Sequence, residues 1–215
     1  MIKKLQALKA KKGFTLVELV VVIAIIGVLA AILIPTMIGV VQDANITSAN
    51  STASQIKTQA TTWLTKMDSA KKGLKQGDTL ATLTATVTGG AWAVTAPSGL
   101  TFQTGSGTNA AWTGTDKTFN FEAFMGDALR DLKNATVSIS LKNAAVVGVL
   151  VVDGDAGASI TALSDADLTA GTYGFTGAKA GLMSDGTIIG SCPQLQKSGG
   201  NNNAGGGNAG GGNAG

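Results

Sequence analysis

Residues 19–35 read LVVVIAIIGVLAAILIP, with no charge and almost no polar atom. Apolar character extends over residues 14–41, a run of 28 residues, or roughly 42 Å of helix at ~1.5 Å per residue. A hydrocarbon core of ~30 Å needs about 20 such residues. After Pro35 the pattern becomes periodic. Ala49, Ala53, Ile56, Ala60, Trp63 or Leu64, and Met67 recur three and four apart, with Asn50, Ser51, Thr52, Gln55, Lys57, Thr58, Gln59 and Lys66 between them. This predicts one long helix over about 15–70, apolar all round in its first half and amphipathic in its second. Pro35 removes a backbone donor and, with Gly39 close by, predicts a helix kink. Lys71-Lys72-Gly73 predicts the end, with lysines matched to the helix dipole and glycine as C-cap.

From residue 79 the period falls to two. Leu80, Thr82, Thr84 and Thr86 alternate with Ala81, Leu83, Ala85 and Val87, the mark of a strand. Gly89-Gly90 is a turn, residues 91–96 a second strand, and Pro97-Ser98-Gly99 a further turn. Residues 105–114 read as an exposed loop carrying Trp112. Residues 120–132 predict a short helix capped by Asn120, with Phe121, Phe124, Met125, Ala128, Leu129 and Leu132 on one face. Residues 136–141 and 145–152 predict a hairpin turning at Lys142-Asn143. The second strand is nearly all apolar, hence central and covered on both faces. Short strands are expected at 171–175 and 187–189. Residues 198–215 contain only Ser, Gly, Asn and Ala, cannot bury apolar surface, and are expected to be disordered.

Charge sharpens the reading of the first segment. Lys3, Lys4, Lys9, Lys11 and Lys12 precede the apolar run with no acid among them, and Glu18 is the sole ionisable group between Lys12 and Asp43. A carboxylate among apolar side chains is costly. The lysines are expected to hold their end in the cytoplasm, with the rest of the chain outside. A secretory signal peptide or plain signal anchor shares the basic start and apolar core. The apolar run is too long for the first. Neither accounts for Glu18 or for the junction Gly13-Phe14-Thr15-Leu16.

That junction carries a resemblance. Lys12-Gly13-Phe14-Thr15-Leu16-Val17-Glu18-Leu19 resembles the prepilin cleavage motif of type IV pilins and the related pseudopilins. Gly27 and Pro35 stand where that family often has a helix-softening glycine and a proline. The match covers residues 11–45 and does not extend past the first helix. The resemblance implies a membrane peptidase that cuts between Gly13 and Phe14 and methylates the new N-terminus on Phe14. It implies a leader at 1–13, a transmembrane and polymerisation half of the helix at 14–41, an amphipathic half at 42–72, a globular head at 73–197 and a tail at 198–215. The implied fold is α+β: a long N-terminal helix packed on a small antiparallel-sheet head. Glu18 becomes the assembly residue. Its carboxylate pairs with the amine on Phe14, of its own chain or of a neighbour, and so sets axial register.

The function implied is a structural subunit of a type IV pilus, serving adhesion, motility or surface attachment. Its partners are copies of itself and other pilins, a prepilin peptidase, an inner-membrane platform protein with its ATPase, and membrane lipid before assembly. One rival is a pseudopilin of a type II secretion or DNA-uptake system, which shares the first helix. A rival of another class is a membrane-anchored carbohydrate-binding adhesin, in which Trp92 and Trp112 stack on sugars. Tryptophan more often packs in a core, and that reading is preferred here.

The remaining composition mostly excludes. The formal charge of +3 belongs to the leader, which holds five of the sixteen basic residues and none of the thirteen acids. Without it the chain is weakly acidic, so no specific nucleic acid is expected as a partner. Lys66, Lys71, Lys72 and Lys75 read as a solvated helix end. With no histidine and one cysteine, Cys192, there is no Ser-His or Cys-His pair, no zinc cluster and no intrachain disulfide. This departs from the disulfide-clipped C-terminal loop of many Gram-negative pilins. Cys192 is expected to be a small buried apolar residue, and an enzyme is not expected. Asp153, Asp155, Asp165 and Asp167 lie in or near a glycine-rich stretch and are weak calcium candidates. No glutamate closes the loop, so a solvated turn is preferred and no cofactor is assigned.

Overall fold

The computed structural model describes residues 14–75, 77, 79–95, 97, 100, 102–103, 111–113 and 115–199. The expected leader, the turn at Ser98-Gly99, most of the 105–114 loop and nearly all of the tail lie outside them. The chain forms two compact units that divide between Ala44 and Asn45.

The first unit is the apolar part of helix α1 (Leu16–Ser69). No side chain from Phe14 to Val41 is buried. The helix runs on through Pro35 and Gly39. Pro35 has no N–H to offer the Ala31 carbonyl, and next to it the Thr36 hydroxyl donates to the Leu33 carbonyl at 2.9 Å.

In the second unit α1 buries Ile46, Ala49, Ala53, Ile56, Ala60, Trp63, Leu64 and Met67, the stripe that the spacing predicts. The helix stops at Ser69, and its cap is not Gly73. Lys71 takes the left-handed conformation with φ 56°. The Lys71 N–H donates to the Asp68 carbonyl and the Lys72 N–H to the Met67 carbonyl, both at 2.8 Å, which is a Schellman closure. Gly73 serves a close approach instead: a Cβ there would lie 2.9 Å from Asp68 Cα.

The head follows as β1 (Ala81–Thr88), β2 (Ala91–Thr95), α2 (Phe121–Ala128), β3 (Asn134–Lys142), β4 (Ala145–Asp153), α3 (Asp165–Ala170), β5 (Thr172–Tyr173), β6 (Gly190–Cys192) and β7 (Gln196–Lys197). Five strands form one antiparallel sheet in the order β2-β1-β3-β4-β6, and β5 pairs with β7 in a small parallel sheet. Gly89 and Gly90 both adopt positive φ in the β1–β2 turn, as a two-residue hairpin requires.

Successive residues of β4 serve opposite faces. Val149 and Val151 join α1 in a core with Leu83, Val87, Val137, Ile139 and Trp63. Leu150 and Val152 join Leu163, Tyr173, Phe175, Ile189 and Leu195 on the other face. This double burial is what the unbroken apolar run of β4 predicts.

Several boundaries move. Helix α2 ends at Ala128, not near Leu132, because Leu129 leaves helical geometry at φ −121° and ψ 54°. Polar side chains take over the carbonyls there: Arg130 Nε donates to the Asp127 carbonyl at 3.2 Å and Lys133 Nζ to the Arg130 carbonyl at 2.7 Å. The β3–β4 turn is Asn143-Ala144, both at positive φ, one residue later than predicted. Helix α3 replaces an expected loop. Its capping box, Ser164 with Asp167, stands in the sequence as Ser-x-x-Asp. The strand expected at 187–189 lies at Gly190–Cys192, with Ile188 only bridged to Leu182. Cys192 is half-buried, not fully enclosed.

Candidate functional site

Helix α1 begins with a reciprocal cap. The Thr15 N–H and hydroxyl donate to Glu18 Oε2 at 2.8 and 2.7 Å, and the Glu18 N–H donates to Thr15 Oγ1 at 3.2 Å. This is the Thr-x-x-Glu capping box, which occupies amides that the helix itself leaves unpaired. In the sequence Glu18 stands out for its charge, whereas Thr15 is marked only by its place three residues before it, the Thr-x-x-Glu spacing. Phe14, just before the cap, is 89% exposed. Gly13, the other half of the expected cleavage junction, lies outside the described residues.

Beyond the cap stands an uncovered apolar cylinder. Leu19, Val22, Ile26, Leu29, Leu33 and Val40 all keep about half or more of their surface exposed. Helix α1 is the one candidate membrane span among the described residues, by length and composition. Water is a poor solvent for such a surface, since each buried CH₂ is worth ~0.8 kcal/mol. Lipid or like helices satisfy it. The carboxylate of Glu18 sits at the edge of this surface, held to its own helix end.

The four aspartates proposed for calcium are not gathered. Asp153 Oδ2 accepts from the Thr52 hydroxyl at 3.1 Å. Asp155 uses its backbone carbonyl, which accepts from the Thr136 hydroxyl at 3.1 Å. Asp165 pairs with Lys142 Nζ at 2.8 Å, and Asp167 is engaged by Ser164 in the α3 cap. Among the described residues there is no group of three or more His, Cys, Asp or Glu positioned for a metal.

The tryptophans are not a surface platform. Trp92 and Trp112 are both buried. Trp112 packs with Trp63 at 5.3 Å between ring centroids, Phe102 at 5.6 Å and Phe121 at 5.9 Å. The sugar-stacking surface on which the adhesin reading depended is absent at these two residues. The lysines at the end of α1 lean on aromatic rings: Lys66 Nζ lies 4.7 Å from the Phe124 ring centre and Lys72 Nζ 4.1 Å from that of Phe119. The hydrogen bond from Lys117, with Arg130 beside it, holds the Asp127 carboxyl below the usual carboxylate range. Burial pushes the Tyr173 phenol up.

Comparison with known proteins adds to this geometry. A family profile described as the prokaryotic N-terminal methylation motif matches residues 8–34. A second, described as a domain of unknown function, DUF5021, matches residues 46–196. Fimbrial protein Q of Moraxella bovis is 33% identical over 150 residues, covering 69% of this chain and 90% of that protein. A fimbrial protein of Pseudomonas aeruginosa is 51% identical over 53 residues, 25% of this chain and 34% of that protein. A fimbrial protein of Moraxella nonliquefaciens is 46% identical over 55 residues, 26% and 36% of the respective chains. The chain thus spans about a third of the length of the Pseudomonas protein it matches. No solved structure matches.

Proposed function

The chain belongs to the type IV pilin family, and through residues 46–196 to the domain family DUF5021; on that premise we propose that it is a structural subunit of a type IV pilus. The observation that carries the proposal is the uncovered apolar run from Phe14 to Val41 with Glu18 as its one charge, set at a capped helix start. Such a segment can cover its apolar surface either with lipid or with copies of itself. A subunit that waits in the membrane and then polymerises uses both.

The chemistry at the helix start suits that cycle. Cleavage between Gly13 and Phe14 by a prepilin peptidase would place a cationic amine next to Thr15, within the reach of the Glu18 carboxylate. Burying either charge alone in a bundle costs several kcal/mol. Pairing them favours the one axial offset that brings them together. The role is structural and non-catalytic, and the partners are other pilin subunits, the membrane, and an assembly platform driven by an ATPase. The five lysines before Gly13 support a cytoplasmic N-terminus before assembly.

The test is mass spectrometry of protein sheared from cells, with a Glu18→Ala strain beside the wild type. The expected result is an abundant sheared fibre whose subunits begin at methylated Phe14, lost in the variant. Processed protein with no sheared polymer would instead mark a pseudopilin, and a chain still beginning at Met1 would exclude both.

A further inference from the structure

Both free edges of the head's five-stranded sheet have an outward backbone amide taken by a side chain from a helix. At one edge stands β2. The two-residue turn pairs Thr88 with Ala91, so Ala91, Ala93 and Thr95 turn their amides toward β1. Trp92 and Val94 turn theirs to the open side. The Val94 N–H donates to Glu122 Oε1 of α2 at 2.8 Å. The start of the same edge lies under α2 itself: a Cβ on Gly126 would sit 3.6 Å from the Gly90 carbonyl and 3.8 Å from the Trp92 ring. At the other edge, β6, the Ser191 N–H donates to Asn50 Oδ1 of α1 at 2.8 Å. The backbone of Gly190 lies too close to the Ala49 carbonyl for any side chain to fit between them.

Unpaired edges are templates for strand addition by another chain. Strand β2 has the composition of such a template. Its sequence, Ala-Trp-Ala-Val-Thr, is uncharged and free of proline, and Ala91, Ala93 and Thr95 are exposed. A subunit concentrated in a membrane meets many copies of that strand.

We propose that Glu122 is an edge guard: by occupying the Val94 amide it blocks antiparallel pairing of β2 with the β2 of a second copy of this chain. The guard leaves the apolar part of α1 as the surface through which copies associate. Helix α2 is suited to present it. Glu122 lies in the first turn, where a negative side chain complements the helix dipole, and Asn120 fixes that turn by accepting from the Ala123 N–H. The block on β2 pairing concerns the head alone; that copies associate through α1 instead rests on the proposed function.

The experiment uses the full chain in detergent micelles, with Glu122→Ala and Glu122→Gln compared with wild type. Hydrogen exchange is read at the Val94 amide and at the central amides of Val137 and Val151. Pairing is read by oxidative cross-linking through Ala93→Cys in a Cys192→Ala background. In E122A the Val94 amide is expected to exchange roughly tenfold faster or more, the loss of one hydrogen bond to a charged acceptor. Val137 and Val151 stay as they are, and cross-links through the thiol introduced by Ala93→Cys appear that are absent when Glu122 is kept. E122Q keeps an acceptor oxygen and is expected to stay near wild type in both readouts. Unchanged exchange at Val94 in E122A, or faster exchange with no cross-linked dimer, overturns the proposal. So does an E122Q chain that behaves like E122A.

Discussion

The backbone N–H of Ser191 donates to Oδ1 of Asn50 at 2.8 Å, tying strand β6 to helix α1 across 141 positions of sequence. The chain has a single cysteine, so this contact does by hydrogen bonding what a disulfide cannot do here. Asn50→Ala leaves a partly buried amide unpaired and should lower stability by ~1–3 kcal/mol. Asn50→Asp keeps an acceptor and should lose less. Thermal unfolding of the full chain in detergent tests this, and an Asn50→Ala chain that melts with wild type would refute it.

Two glycines should respond very differently to alanine. A Cβ on Gly190 meets the backbone of Ala49 and the Asn50 nitrogen, which cannot move without shifting α1. A Cβ on Gly148 meets the tips of Leu163 and Leu168 at 2.7 and 2.9 Å, and those can rotate. Gly190→Ala is expected to cost ~3 kcal/mol or more, and Gly148→Ala about 1 kcal/mol. Urea unfolding of the two variants side by side measures the gap; equal losses would contradict the account.

The end of α1 can be improved. Lys71 holds φ 56°, a conformation that costs a residue with a Cβ roughly 1–2 kcal/mol. Lys71→Gly should therefore raise stability by about 1 kcal/mol. A lower melting temperature in this variant would show that the lysine side chain outweighs its backbone strain.

Tyr173 predicts an alkaline limit. Burial raises its pKa above the ordinary value of 10.0, and its hydroxyl donates to the Thr161 carbonyl at 2.9 Å, a bond that only the protonated phenol can make. A group whose pKa is raised by folding contributes fully below its unfolded pKa and loses that contribution as pH rises through the folded one. Stability should thus fall as pH climbs above about 10. Tyr173→Phe should flatten that part of the profile while lowering the plateau at neutral pH by ~1 kcal/mol. Unfolding curves at stepped pH decide it, and an unchanged alkaline slope in the variant would reject the assignment.

At the other end of the chain, Thr15→Ala should fray the first turn of α1. It removes the hydroxyl that accepts from the Glu18 N–H and donates to Oε2, worth ~1 kcal/mol for an N-cap. Thr15→Ser should preserve it. Amide exchange at Val17 and Glu18 in micelles reads the difference; equal exchange in all three chains would mean that the cap is not formed in lipid-like surroundings.

Helix α1 was legible in the residues because its causes are local. Charge-free apolar residues from Leu19 to Pro35 need a continuous helix in lipid. Spacings of three and four from Ala49 to Met67 mark the face that an adjoining sheet covers. Strand β4 announced its double burial by having no polar alternation. Glu18 stood out as a lone charge, and Thr15 was equally readable three residues before it. Trp92 and Trp112 were ambiguous by type. The aromatic cluster around Trp63 and Phe121 settles them as core, because only folding brings those rings together.

What the residues did not disclose are the long-range closures. The left-handed cap fell on Lys71 because the chain must turn back against Asp68, and Gly73 was needed for that approach. Two of the four aspartates that looked like ion ligands, Asp165 and Asp167, fell on helix α3, where Asp167 closes the Ser164 cap and Asp165 pairs with Lys142; a third, Asp153, accepts from Thr52. The pairings of Asn50 with Ser191 and of Glu122 with Val94 join segments 141 and 28 residues apart. Local propensity carries no information at such separations. Those contacts exist because each sheet edge has amides that must find an acceptor, and only the packed arrangement of helix against strand determines which side chain is in reach.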